Sequence, residues 1–383
     1  MSTRSLTFYF KGGFMKAENG SHIRTISLLR FLHSAQFRVT VYCFSDTPEC
    51  SWSSKCKEAF AGEFPRFRLV LELQGYFGRL ATKLKNGLIL LFPKFTRRIC
   101  SFSFPGIHPK YKELRSSQLT IFSYIDGATE LNGIDLSRSI VETHDVAYGV
   151  FIKKYAKASW SLRAATKFLK ENAVIDHCYA AIAIQLHEAA HFSLVASNTK
   201  IICVPSYGYG SPVVLDAPHT KYDIVFVGSE NFLNVRGILR FLCEHESILN
   251  GRTVGVCGRV CESAEIHEYF DRFDNYSLLG FIEDLSLVYA QSRIAISPVE
   301  GTGMKIKVID AIKHGKPVVA SNSSIQGLAP GHEGCVFPED KLSWILELDQ
   351  SSLRELGDEA HAYYVKMNQT DGRDSLVDLI NTA

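Results

Sequence analysis

The chain of 383 residues has no long apolar run: Leu88–Phe92, for example, spans five residues, against the roughly 20 needed to cross a bilayer as a helix. No membrane-spanning helix is expected. A secretory leader is not indicated either, because Arg4 precedes only the short stretch Leu6–Phe10 and Lys11 interrupts it before any small-residue cleavage site. That stretch reads as a first strand, and the chain as cytosolic. The ten cysteines form no Cys-x-x-Cys pair and mostly lie in apolar, strand-like segments, so free buried thiols are expected in place of a zinc site or disulfide framework. There is no Asp-x-Asp motif, and no metal is invoked. With 12 prolines, 21% charged and 46% hydrophobic residues, collagen-like, coiled-coil and low-complexity architectures are excluded. The length fits two domains of about 150 residues or more each.

Charge of one sign is missing over long stretches. No acid occurs between Glu72 and Glu113, where Arg79, Lys83, Lys85, Lys94, Arg97, Arg98, Lys110 and Lys112 stand among Leu, Phe and Tyr, and none occurs from Val146 to Lys170. Up to residue 190 there are 26 Lys plus Arg against 15 acids, and beyond it 16 against 25. A basic, apolar-interleaved first half suits an anionic membrane surface or an anionic acceptor, with Lys94, Arg97 and Arg98 as the contact candidates. A solvated helix face is the plainer reading. Nucleic acid is not expected as a partner.

Short β-branched or aromatic runs alternate with helical patterns: Leu6–Phe10, Arg38–Phe44, Phe67–Leu73, Leu119–Tyr124, Ser139–Thr143, Ala180–Ile184 and Lys200–Val204. Strand then helix, repeated, implies a parallel sheet covered on both faces. A Gly- and Pro-rich stretch from Pro205 to Pro218 then marks a hinge. A second series follows with Asp223–Val227, Arg252–Cys257, Ser277–Leu279, Arg293–Ser297 and Pro317–Ser321. The reading is α/β, with an N-terminal Rossmann-like domain at 1–205, a second one at 206–350, and C-terminal helices at 351–383 packing across both. Two doubly wound domains facing each other across a cleft would bind ligand at their carboxyl-end loops.

The segment 297–321, SPVEGTGMKIKVIDAIKHGKPVVAS, carries the most chemistry. A strand ends at Pro298, a Gly-Thr-Gly turn follows, and helical spacing from Met304 to His314 closes at Gly315. A turn opening onto a helix N-terminus presents free N–H groups and the positive dipole end to an anion, beside Lys305 and Lys307. A diphosphate suits such a site. This ordered string resembles the C-terminal domain of the GT-B glycosyltransferases of group 1, the family-four-like, nucleotide-sugar-dependent set. Pro298, Gly301, Gly303, Lys305, Lys307, Asp310, Ala311, Gly315, Pro317, Val318, Val319 and Gly327 fall at matching positions.

The resemblance implies the GT-B architecture and a donor site made by Ser229, Arg236, Gly258, Arg259, Phe281, Ile282, Gly301, Thr302, Gly303, Lys305, Lys307 and Asp310. It adds a glycine-rich turn at Gly12 and Gly13, leading through Glu18–Ser21 to Arg24, that closes over the sugar. It also places His144 near the reacting sugar and acceptor, with Asp145 beside it either orienting the ring or capping a helix. The family's paired glutamates are altered: Asp310 replaces one and Thr302 stands where the other belongs, which leaves Glu300 as the nearest acid. The implied activity is transfer from a nucleotide-diphosphate sugar, a substrate and not a bound cofactor, to a hydroxyl of a glycan or lipid-linked glycan in surface polysaccharide synthesis, with retention and without a metal. The missing acid keeps a second reading open, an inactive scaffold or regulatory subunit of a polysaccharide-synthesis complex. An epimerase on the same fold would need further cleft carboxylates.

Overall fold

The computed structural model describes residues 5–17, 19–47, 51–102, 118–131, 133–155, 161–205, 212–213, 219–301, 304–369 and 372–383. The chain divides into two compact units, residues 1–208 with 371–383, and residues 209–370.

The first unit is built on seven strands: β1 (Ser5–Tyr9), β2 (Arg38–Phe44), β3 (Arg68–Glu72), β4 (Thr120–Ser123), β5 (Ser139–Glu142), β6 (Ala180–Ala183) and β7 (Lys200–Cys203). They lie in the order β3-β2-β1-β4-β5-β6-β7, each pair parallel. Side chains alternate across the pleat. Phe8, Val41, Ile121, Ile140 and Ile182 enter one core, while Tyr9, Tyr42, Phe122, Val141 and Ala181 enter the core on the other face. Both faces are therefore buried, which is why these strands read as continuous apolar runs.

Helices α1 (Gly20–Ser34), α2 (Ser54–Glu63), α3 (Gly75–Leu91), α4 (Thr96–Ser101), α5 (Ala147–Lys154), α6 (Leu162–Ile175) and α7 (Leu186–Val195) cover this sheet. Three start on side-chain caps. Asn19 accepts from the His22 amide, Ser53 from Cys56 and Ser161 from Ala164, each satisfying an amide the helix itself leaves unpaired.

The second unit has β8 (Tyr222–Val227), β9 (Val254–Cys257), β10 (Tyr276–Gly280), β11 (Ser292–Ser297), β12 (Val318–Ala320) and β13 (Val336–Pro338) in the order β10-β9-β8-β11-β12-β13, again all parallel. β13 is not among the expected strands: its apolar residues are too few to stand out, and pairing with β12 makes it a strand. Helix α8 (Phe232–Glu244) follows β8, α9 (Ile306–Lys313) follows β11, and α10 (Gln350–Gln369) packs on α9. The close α9–α10 approach uses glycine, since a Cβ on Gly357 would stand 2.6 Å from the Gly315 carbonyl oxygen.

After α10 the chain returns to the first unit as α11 (Arg373–Thr382), whose Leu376, Leu379 and Ile380 are fully buried in that unit's core. Of the described cysteines, all are free and most are buried, but Cys243 on α8 is exposed. Leu379→Ala removes a buried side chain and leaves a cavity, costing roughly 2–5 kcal/mol. The expected result is faster amide exchange in β1 and β2, with β8 and β9 unchanged.

Candidate functional site

In open parallel sheets ligands sit outside the carboxyl ends of the strands where the order reverses. In the second unit that point lies between β8 and β11. β8 runs into Gly228 and Ser229, and β11 into Pro298, Val299, Glu300 and Gly301. Thr302 and Gly303 lie outside the described residues. The two loops are locked against each other: a Cβ on Gly237 of α8 would fall 2.6 Å from the Pro298 carbonyl oxygen, and one on Gly301 would meet the Lys305 ammonium at 3.1 Å and Leu233 at 3.5 Å. Lys305, at the start of α9, therefore folds its ammonium back over Gly301. Arg240 donates to the Pro298 carbonyl at 3.3 Å and is held in turn by Glu339.

Lys307 anchors the centre. Its ammonium donates to Asn234 Oδ1 at 2.5 Å and stands 4.8 Å from the centroid of the Phe226 ring. The Asn234 amide nitrogen donates to the Ser229 carbonyl at 2.8 Å and hydroxyl at 3.1 Å, and Asn231 caps α8 by accepting from the Asn234 N–H at 2.9 Å. Lys307, Asn234 and Ser229 thus form one chain of hydrogen bonds from α9 to the end of β8. No described carboxylate neutralises Lys307, and burial first, then the Lys305 charge, pull its pKa down to about 7. A second ammonium and a water-poor wall both disfavour the cation.

Two glycines bring further backbone to the same edge. Gly258 has φ +99°, and a Cβ there would lie 2.3 Å from the Gly228 carbonyl oxygen; Gly280 has φ +67°. The Gly258 N–H donates to the Gly280 carbonyl at 2.7 Å. Beyond it, Phe281 is exposed and Ile282 packs on the core.

The Asp310 carboxyl is hydrogen-bonded to Tyr289, and burial raises its pKa. His314 stacks on Tyr289 at 4.8 Å. The Glu300 carboxylate accepts from the Ser323 hydroxyl at the loop surface. Arg236 is not brought to Lys307. It lies two residues past Asn234, about 200° round the helix, over the Phe232 ring at 6.0 Å. Arg259 is exposed and pairs with Glu262 at 3.3 Å.

The first unit has its own constellation at the β1–β4 reversal. Gly12 and Gly13 are buried just past β1; Glu18 lies outside the described residues. Buried His144, just after β5, shares a 2.9 Å hydrogen bond between Nε2 and Ser123 Oγ, and the Tyr124 ring stacks on it at 4.1 Å. Glu142 Oε2 stands 3.6 Å from the same nitrogen. Glu142 is itself paired with the buried Arg24 at 2.9 Å, and Arg24 also donates to the Val204 and Pro205 carbonyls at 2.8 and 3.0 Å. Tyr124 holds φ +67°, rare for a bulky residue, and burial pushes its hydroxyl up to about 12 while Ser21 hydrogen-bonds it.

Asp145 does not cap a helix. The N-terminus of α5 is held by Glu171 of α6, whose carboxylate accepts from the Ala147 and Tyr148 amides at 2.7 and 3.0 Å. The described polar partners of the His144 ring are Ser123 and Glu142. A pattern search misses Ser123, Tyr124, Glu142, Glu171 and Asn234, because each lies inside or at the end of a regular element. The signal available was a polar residue at an apolar strand's end. Lys94, Arg97 and Arg98 are exposed on and just before α4, far along the chain from both constellations.

Residues 221–348 match the family model described as glycosyl transferases group 1. Among solved structures, the chain is similar to sucrose-phosphate synthase from Thermosynechococcus elongatus, at 14% identity and TM-score 0.66 over 99% of this chain and 98% of that one. It is also similar to a TarM variant from S. aureus, crystallised with UDP, fondaparinux and α-GlcNAc-glycerol, at 10% identity and TM-score 0.66 over 99% of both chains. WaaG, a glycosyltransferase involved in lipopolysaccharide biosynthesis, is similar at 14% identity and TM-score 0.63 over 99% of this chain and 100% of that one. No curated protein matches the sequence. The fold shared with these structures is GT-B.

Glu188, buried beside Thr143, has its pKa raised to about 7 by burial and then by the Asp145 charge. The folded chain therefore keeps a proton that the unfolded chain loses above its ordinary value near 4.5. Stability from this group is largest at low pH and falls as pH rises toward 7. Glu188→Gln should flatten that fall, read as Tm against pH from about 5 to 7.5.

Proposed function

We propose that this chain, a GT-B glycosyltransferase by the group 1 match of its second unit, takes a sugar from a nucleotide-diphosphate donor and places it on a hydroxyl of a glycan or lipid-linked glycan in surface polysaccharide synthesis. It works in the cytoplasm, at the inner face of the membrane. The observation that carries the donor reading is the Lys307–Asn234–Ser229 chain beside Lys305 and Gly301. The likeness to a structure holding UDP supports a nucleotide there, and WaaG's role in lipopolysaccharide biosynthesis supports a glycan acceptor.

The barrier to glycosyl transfer is departure of the diphosphate from a sugar that becomes oxocarbenium-like. Charge growing on the leaving oxygen is met by the Lys305 and Lys307 ammonium groups, the Gly301 backbone and the start of α9, donors fixed before reaction begins. These groups make a divalent ion unnecessary, so chelation leaves the rate unchanged. Gly258 and Gly280, whose backbones need no room for a side chain, line the place for the base. In the first unit, His144 and the glycines at 12 and 13 bind sugar and acceptor. His144 relays the acceptor proton, with Ser123, Tyr124 and Glu142 fixing its ring. Retention of the anomeric configuration belongs to this reading, with the Glu300 carboxylate as the acid facing the sugar.

A scaffold without turnover has less in its favour, because a structural protein has no use for an unneutralised lysine held between two glycine loops.

The test is a thermal-shift panel of UDP, GDP, ADP and CMP. One nucleotide at about a hundred times its dissociation constant adds about 2.7 kcal/mol, and Lys307→Ala abolishes that shift. A shift that survives in Lys307→Ala overturns the donor site. His144→Ala keeps the shift and loses roughly 10²–10⁴ in kcat. Because Lys307 titrates near 7 when the site is empty, an incoming diphosphate restores its proton. Calorimetry about one pH unit above that value, in buffers of different ionisation enthalpy, should show proton uptake by wild type and none by Lys307→Ala.

A further inference from the structure

Helix α3 faces the wrong way for a helix of a soluble unit. Its inward residues are Gly78, Ala81, Lys85 and Ile89, while its large apolar side chains point outward. Phe77, Leu80, Leu84, Leu88 and Leu91 recur at three- and four-residue spacing, one stripe of the helix, with Phe77 65% and Leu91 72% exposed. Phe92 and Phe95 continue it toward α4. Among the described residues, ten of the twenty-one exposed large apolar side chains fall between 73 and 102. Scattered exposed apolar residues are ordinary, whereas a contiguous patch marks an interaction surface.

The helix is held in this orientation by polar contacts. Asp46 accepts from the Gln74 and Gly75 amides at 2.9 and 3.1 Å. The buried Lys85 ammonium donates to the Leu131 carbonyl at 2.8 Å and the Cys100 carbonyl at 3.3 Å, tying α3 to α4. Burying a lysine while exposing leucines is costly unless the leucines find an apolar partner of their own.

The rim identifies that partner. Lys83, Lys94 and Arg98 are exposed and have no ion pair among the described residues; Arg98 lies over the Phe95 ring at 5.9 Å. Arg79 and Arg97 pair with Asp46 and Asp135 at the edge. No acid occurs from residue 73 to 112. A second copy of the chain would set these cations against each other. An anionic bilayer complements both parts, taking the aliphatic stripe below its headgroups and the cations among its phosphates.

We infer that the outward face of α3, with the turn leading into α4, is a docking surface on which this chain lies against an anionic lipid bilayer. The helix lies in the plane of the interface without crossing it, in keeping with the absence, among the described residues, of any helix long and apolar enough to span. The inference rests on the membrane part of the proposed function and not on its chemistry. Vesicle binding is measured without donor, and the nucleotide shift without lipid, so failure of one leaves the other readable.

The experiment is co-sedimentation of the full chain with vesicles of phosphatidylcholine and phosphatidylglycerol, and with phosphatidylcholine alone. Wild type binds the anionic vesicles. Phe77→Ser/Leu84→Ser/Leu91→Ser weakens binding by at least about tenfold, while Leu162→Ser/Leu194→Ser, which changes exposed apolar residues elsewhere, binds as wild type. Lys83→Ser/Lys94→Ser/Arg98→Ser loses the preference for anionic lipid. Phe77→Trp reports directly, its added emission shifting to the blue on anionic vesicles. Wild type left in the supernatant, a triple serine variant that binds unchanged, or an unshifted Phe77→Trp emission each overturns the inference. So does light scattering that finds wild type dimeric and the apolar variant monomeric, because the occupant is then a second copy.

Discussion

Every described strand runs parallel to its neighbours, and this constraint organises the rest. A parallel sheet has all its carboxyl ends on one edge, so each unit has a single edge where loops gather and a single position where the strand order turns back on itself. Lys307, Asn234, Ser229 and Gly301 gather there in one unit, and in the other His144 stacks on Tyr124 while two glycines follow β1 at the same edge. Both faces are occupied by helices and two separate cores, so the edge is where polar chemistry has room.

What gathers at those edges is charge held at some expense. Lys307 is kept without a described carboxylate, against an aromatic ring and beside another ammonium. Around His144 the balance is reversed, with Glu142 wholly buried, Glu188 nearly so, and Arg24 as the cation that reaches Glu142. In each arrangement hydrogen bonds and ion pairs offset part of what burial would otherwise penalise.

The repeated strand-helix pattern made the two-sheet fold legible, because strands buried on both faces are apolar runs and the Gly-Thr-Gly turn with its lysines is local in sequence. Positions that depend on packing were not legible in the same way. Asn234 looks like one more polar residue near a helix start until the β8–β11 neighbourhood brings Lys307 to it. Glu171 caps α5 from another helix, so of the two roles open to Asp145 in the sequence the cap is taken by a residue far along the chain. Arg236 follows from the resemblance of residues 223–237 to the family's first strand and loop of that domain, and two residues on a helix carry its side chain to nearly the opposite face from Asn234. The basic stretch after Glu72 was visible as composition. Which of its residues face outward was not, because Lys85 and the leucines exchange the positions their polarity suggests. β13 escaped notice because it ends in a proline and becomes a strand only by pairing with β12.

The path of the chain through the two cores has a consequence for synthesis. α11 belongs to the first core, yet the ribosome reaches it only after the whole of the second unit. While the second unit is being made, the sheet of the first waits with an apolar hollow where Leu376, Leu379 and Ile380 will lie. The second unit has its strands and its α10 before that hollow is filled, so it can reach its final packing first although it begins later. The nascent first unit is then the aggregation-sensitive species, and α11 acts as the latch that ends this exposure.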